Sequence, residues 1–247
     1  MLGEWTKAAL INCIARHHRY RSYLEICSAS TGLRYDEIDR SVLTNRHRLM
    51  YRVPEGHSDG MTVDFATPGL DTNECIREIF ARRLRFDIIL VDPWHEYDTS
   101  TRDLRDALSL LKPRGTIVVH DCLPSSEELA SPAYRIGDWC GLTYKAYLDF
   151  VTARPEVEYR TVDIDFGCGV IRARPLLARL RERMRASGER EALIERWNAF
   201  GDDFGAAYRF MQEHKQTLCR LRSVEDFNRD EEGSSAELEP HRRCAGG

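Results

Sequence analysis

Two short stretches, Phe86-Asp87-Ile88-Ile89-Leu90-Val91-Asp92 and Thr116-Ile117-Val118-Val119-His120-Asp121, constrain the fold more than any others. Each is a run of buried-strand character that leads into a carboxylate, at Asp92 and at Asp121. Between them Leu104, Leu108 and Leu111 recur at helical spacing, and Lys112-Pro113-Arg114-Gly115 stops that helix. A strand–helix–strand unit this short predicts two parallel neighbours joined by a right-handed crossover. Both carboxylates then leave the sheet at the same edge, where open α/β sheets bind ligands.

The rest of the chain extends this pattern. Residues 4–18 read as an amphipathic helix with Trp5, Ala8, Ile11, Ile14 and Ala15 on one face. Tyr23–Cys27 reads as a first strand, Ser28–Gly32 as a small-residue turn, and Arg48–Val53 as a second strand. The Gly-, Pro- and Asp-rich stretch 54–71 is mostly loop, with a brief strand at 61–65. A helix capped by Asp71 or Thr72 runs to Leu84, another spans about 142–153, and Tyr159–Ile164 with Gly169–Arg172 forms an antiparallel hairpin. The fold class is therefore α/β: a doubly wound, mostly parallel sheet with a C-terminal antiparallel hairpin. A domain over 1–174 is expected, then an Arg/Glu-rich helical appendage over 175–227, then a disordered tail over 228–247.

At 247 residues the chain can bury a sizeable core without staples. A net charge of -4 and the lack of a basic tract with interleaved aromatics argue against a nucleic-acid partner. The eight cysteines form no CxxC pair and read as reduced thiols. The apolar run of the first helix is too short and interrupted to span a membrane. A soluble cytoplasmic protein with no membrane partner is expected.

With those residues laid out, the chain resembles a class I, Rossmann-like S-adenosylmethionine-dependent methyltransferase of the small-molecule type over roughly residues 23–172. The most specific part is FDIILVDPWHEY with LSLLKPRGTIVVHDCLP: a strand ending in Asp, a nearby His and Tyr, a helix with Leu-Lys-Pro-x-Gly, and a strand ending His-Asp. Tyr23-Leu24-Glu25-Ile26 matches the family's first strand, and the hairpin with Asp163, Asp165 and Gly167-Cys168-Gly169 matches its last strands. The family's first turn, E-x-G-x-x-x-G, is altered: Cys27 replaces the first glycine and Gly32 alone survives, displaced. The acidic residue that would hold the ribose has only Glu55, Asp59 and Asp64 as candidates.

The resemblance implies a cofactor site at Glu25, Cys27, Gly32, Asp92 and Trp94, with S-adenosylmethionine as cofactor and a small-molecule acceptor. It implies His95 and Asp121 as catalytic residues, His95 as the general base. His120, Trp139 and Tyr97 are the candidate acceptor contacts. In metal-dependent members the positions of Asp92 and Asp121 ligate a divalent cation, so Mg²⁺ is a candidate cofactor here. Cys122 falls where a catechol O-methyltransferase places a third oxygen ligand, and a thiol ligates Mg²⁺ poorly. The expected activity is O-methylation of a hydroxyl. Two rivals stand beside it: a methyltransferase-fold binding protein without turnover, and a metal-dependent hydrolase using Asp92, His95, His120 and Asp121. The apolar stripe of the C-terminal helices needs cover, either by packing on the domain or as a homodimer interface.

Overall fold

The computed structural model describes residues 5–31, 35–54, 63–173 and 188–237. Alternation along three adjoining strands sets the architecture. β1 (Ser22–Ser28), β4 (Phe86–Asp92) and β5 (Leu111–Val119) turn successive side chains to opposite faces. Leu24, Ile26, Ile89, Val91, Ile117 and Val119 enter one core, while Tyr23, Ile88, Leu90 and Val118 enter another. Strands buried on both faces require helices on both. α1 (Lys7–His18) supplies Leu10, Ile11 and Ile14 to the second core. The first core is covered by α2 (Asn73–Ala81), α3 (Tyr97–Leu110), α4 (Thr143–Thr152), α5 (Gly188–Asn198) and α6 (Phe204–Leu218).

The sheet is completed by β2 (Asn45–Tyr51), β3 (Phe65–Thr67), β6 (Val157–Val162), β7 (Cys168–Ala173) and β8 (Leu221–Arg222), in the order β3-β2-β1-β4-β5-β7-β6-β8. Among the described strands only β7 runs antiparallel to its neighbours, β5 and β6. The register brings Cys27 of β1 level with Asp92 of β4, and Val91 level with Val119. The ends of β1, β4 and β5 therefore form one ledge. This is the doubly wound, mostly parallel sheet with a terminal hairpin that the sequence predicts. The expected helix stop at Lys112–Gly115 is instead part of β5: Leu111 pairs with Phe86, and the register shifts before Ile88 and Thr116 pair.

The C-terminal segment differs from expectation. Leu221-Arg222 pairs in parallel with Thr161-Val162, so the helical segment after residue 187 also contributes a strand. α7 (Val224–Glu237) then packs Phe227 into the core under α1. The stretch expected to be disordered from 228 is thus helical through residue 237. Residues 174–187 and 238–247 lie outside the described residues, and so do Leu176, Leu177, Leu180 and Met184 of the expected apolar stripe.

Glu231 explains why α7 closes here. Its fully buried carboxylate receives both terminal nitrogens of Arg172 on β7, at 2.7 and 2.8 Å, and lies 2.8 Å from Nε2 of His18 on α1. Burial opposes its ionisation, but His18 and Arg172 hold its pKa down at about 2, against an ordinary 4.5. A carboxyl whose pKa is depressed by folding stabilises the native state above its unfolded value, and that contribution is lost as pH falls through the folded value. Glu231→Gln is expected to cost about 3 kcal/mol in denaturant unfolding at neutral pH, since it leaves Arg172 without its charge partner. The gap between variant and wild type should shrink as pH drops from 4.5 toward 2. A gap that stays constant over that range would assign the loss to shape alone.

Candidate active site

The ledge carries a compact charged cluster. Asp92 ends β4, and His120 and Asp121 follow β5. His120 N–H donates to the Val91 carbonyl at 3.0 Å, which fixes the second strand end against the first. Asp121 has φ 59, a left-handed conformation costly for a non-glycine residue and characteristic of functional turns. It places Oδ2 2.9 Å from His120 Nδ1 and 3.0 Å from His95 Nε2. His120 Nδ1 is also 3.3 Å from Asp92 Oδ1. Asp92, His95 and Asp121 each offer a ligand atom within 4.8 Å of the others. The structure thus brings Asp92, His95, His120 and Asp121 together.

Two members of the cluster are not among the residues expected from the sequence. Lys7 of α1 donates its ammonium to Asp92 Oδ2 at 2.6 Å, with side chains only 8% and 1% exposed. Its signal was a charge on the apolar stripe, one helical turn before Ile11. Asp165 lies 3.4 Å from His120 Nε2 through Oδ2, which also accepts the Lys7 backbone N–H at 3.2 Å. Asp165 comes from the turn between β6 and β7, where Asp165, Phe166 and Gly167 all have positive φ. A Cβ on Gly167 would sit 2.3 Å from that of Leu123, so only glycine lets this turn dock beside Asp121. Asp165-Phe166-Gly167 is therefore a hairpin turn, as its position in the chain predicts, and it also completes the cluster.

Charge explains how so many titratable groups share one place. Burial disfavours the charged imidazole of His120, yet Asp121 and Asp92 raise its pKa well above the ordinary range. Burial likewise opposes ionisation of Asp121 and Asp92. His120 and His95 nevertheless hold Asp121 far below the carboxylate range, and Lys7 and His120 lower Asp92. Lys7 is raised by Asp92 against its own desolvation, and Asp165 is lowered to about 2 by His120 despite partial burial. Three carboxylates thus face Lys7 and His120. His95 Nδ1 is buried without a hydrogen-bond partner. Buried polar atoms left this way invite a ligand.

On the other side of His95 stands an aromatic wall. Trp139 packs 5.3 Å from the His95 ring and 5.1 Å from Trp94, and Tyr134 stacks on Trp94 at 5.1 Å. Arg52 lies over the Trp94 ring at 3.5 Å, and the Trp139 indole donates to the Ser131 carbonyl at 2.7 Å. The loop is tied down where it passes the site: Leu142 N–H donates to the His95 carbonyl at 2.7 Å. Gly141 has φ +52, and a Cβ there would fall 2.3 Å from the same oxygen. Trp94, expected beside the cofactor, belongs to this wall with Trp139. Tyr97, expected to contact the acceptor, does not reach it. Its hydroxyl donates to Asp149 of α4 at 2.8 Å, because the start of α3 turns it toward that helix.

The expected cofactor residues are spread differently. Glu25 is buried, accepting from Tyr23 at 2.9 Å and lying 3.5 Å from Arg48 Nε. Cys27 is buried at the strand end, where desolvation pushes its thiol pKa up. The turn that lacks the family's glycine is closed by hydroxyls instead. Ser28 N–H donates to Thr31 Oγ1 at 3.0 Å, and the Thr31 hydroxyl donates to the Asp92 carbonyl at 2.7 Å. Gly32, Glu55 and Asp59 lie outside the described residues. Asp64 is taken up by β2, accepting from Arg48 N–H at 2.9 Å.

A hard dication such as Mg²⁺ calls for a shell of oxygens. The cluster offers imidazoles beside its carboxylates, and an ammonium already bonds to Asp92. These residues do not fit Mg²⁺, and Cys122 does not help: its thiol is buried and contacts the Val119 carbonyl at 3.4 Å.

Residues 8–122 match the family model of a methyltransferase domain. No curated protein sequence matches the chain. Among solved structures, the O-methyltransferase TomG from Streptomyces achromogenes, involved in tomaymycin synthesis and in complex with SAM, is similar with a TM-score of 0.50 and 14% identity over 67% of this chain and 78% of that one. An inferred O-methyltransferase from Klebsiella pneumoniae gives 0.51 and 13% over 71% and 84%. An inferred caffeoyl-CoA O-methyltransferase from Staphylococcus aureus gives 0.50 and 15% over 70% and 86%. No helix among the described residues is long and apolar enough to cross a membrane. The sheet order and these likenesses give the chain the class I, Rossmann-like methyltransferase fold, with residues 8–122 similar to a methyltransferase domain.

Proposed function

We propose that the chain is an S-adenosylmethionine-dependent methyltransferase that acts on a hydroxyl of a small-molecule acceptor. The observation that carries the reading is the His95–Asp121 pair, with Nε2 3.0 Å from Oδ2, between the charged ledge and the aromatic wall of Trp94 and Trp139. The similarity to the SAM complex of TomG supports the cofactor class. So does the site's chemistry: the buried carboxylates of Asp92, Asp121 and Asp165 gathered at one ledge suit a cationic sulfonium.

S-adenosylmethionine, when bound, supplies a methyl group already activated on sulfur. The chain's own residues do the rest. Asp121 holds the Nε2 proton of His95, which leaves Nδ1 free to take the proton of the acceptor hydroxyl. The aromatic wall orients the acceptor and excludes water, and Gly141 allows the loop to close against His95. Positioning supplies most of the rate because little covalent chemistry is left to the protein.

The hydroxyl-closed turn at Ser28–Thr31 favours a second reading, a binding protein that keeps the fold without turnover. Calorimetry with S-adenosylmethionine separates the two. Binding at micromolar to low millimolar concentration is expected for the enzyme, and no heat at 5 mM would remove it. In an acceptor screen, His95→Gln is expected to lower kcat by about a hundredfold while leaving cofactor affinity unchanged. Unaltered turnover in that variant would take the base away from His95.

A further inference from the structure

The cluster that would suit a metal by its carboxylates already contains a positive charge, and that charge arrives from outside the sheet. Lys7 lies among the buried residues of α1, and with Ala8, Ile11, Tyr23, Glu25 and Leu90 it lines a narrow crevice under the helix. Its ammonium emerges at the sheet edge 2.6 Å from Asp92 Oδ2. The helix start that carries it is fixed twice: Thr6 accepts from Ala9 N–H at 3.3 Å, and Asp165 accepts from Lys7 N–H at 3.2 Å. Further along, Asn12 donates to the Glu37 carbonyl at 2.9 Å and accepts from Asp39 N–H at 2.8 Å. The lysine is thus held in place by its helix and is no loose surface side chain. A dication bound through Asp92 would have to compete with this ammonium at Oδ2 or with His120 Nδ1, 3.3 Å from Oδ1.

We propose that Lys7 is the resident cation on Asp92, occupying a carboxylate that a divalent metal would need, and that the chain binds no divalent metal there. A consequence follows for the substrate class, and it rests on the methyl-transfer reading. A dication chelates two neighbouring oxygens of an acceptor, and without one the site does not require them both. The acceptor therefore needs only one hydroxyl at His95 and no vicinal partner.

Titration of the full chain with Mn²⁺ and Mg²⁺, followed by calorimetry and by the Mn²⁺ electron paramagnetic resonance signal, tests the metal claim without cofactor or acceptor. Wild type is expected to bind neither ion up to 1 mM. Lys7→Met is expected to gain one Mn²⁺ per chain, at least tenfold tighter than wild type, and Lys7→Arg is expected to gain none. One-to-one Mn²⁺ binding by wild type that disappears in Asp92→Asn would overturn the proposal. A natively folded Lys7→Met that stays metal-free would overturn it too. If Lys7→Met does not fold, as its circular dichroism would reveal, the wild-type titration decides alone. Failure of S-adenosylmethionine to bind leaves these outcomes unaffected, so the two readings can fail separately.

Discussion

The buried ion pair between Lys7 and Asp92 is the contact on which the site depends. Asp92 sits level with Cys27 at the ends of β4 and β1, where desolvation alone would force the carboxylate neutral. The lysine keeps it ionised, and the ionised Asp92 in turn helps hold His120 cationic. Asp121 and Asp165 then have a cation to face. Removing one member would leave the others as uncompensated buried charges, which is far more costly than losing a surface bridge.

The same contact makes α1 a part of the site instead of a cover for the sheet. Helices that pack on a doubly wound sheet commonly contribute apolar surface and nothing else. Here Leu10, Ile11 and Ile14 do that work, while Lys7, on the same stripe, reaches the strand ends. The turn between β6 and β7 plays a similar double part. It reverses the chain between two antiparallel strands, and its left-handed residues aim Asp165 at His120.

The sheet was legible in the sequence because its signal is repeated and local. Strands such as Ile88–Val91 and Ile117–Val119 are apolar at every position, which marks them as buried on both faces, and the intervening leucines keep helical time. His95, His120 and Asp121 were legible because they sit directly past those strands. Lys7 and Asp165 were not, since their roles depend on tertiary neighbours 85 and 45 residues away. Tyr97 was misassigned because an aromatic just past a strand end looks the same whether it faces the ledge or a neighbouring helix. β8 escaped because two residues, Leu221 and Arg222, are too few to show any period. The altered first turn was visible as missing glycine, but its closure by Ser28 and Thr31 hydroxyls required coordinates.

The triad of His18, Glu231 and Arg172 has a consequence for the order in which the molecule is assembled. His18 and Glu231 are separated by 213 positions along the chain. On the ribosome, α1 emerges early, yet its clamp is synthesised only after every strand of the sheet. The strands can pair and the central core can close while α1 is still held by its apolar face alone. The helix that carries the lysine of the charged centre is thus fastened by a carboxylate made only after the whole sheet.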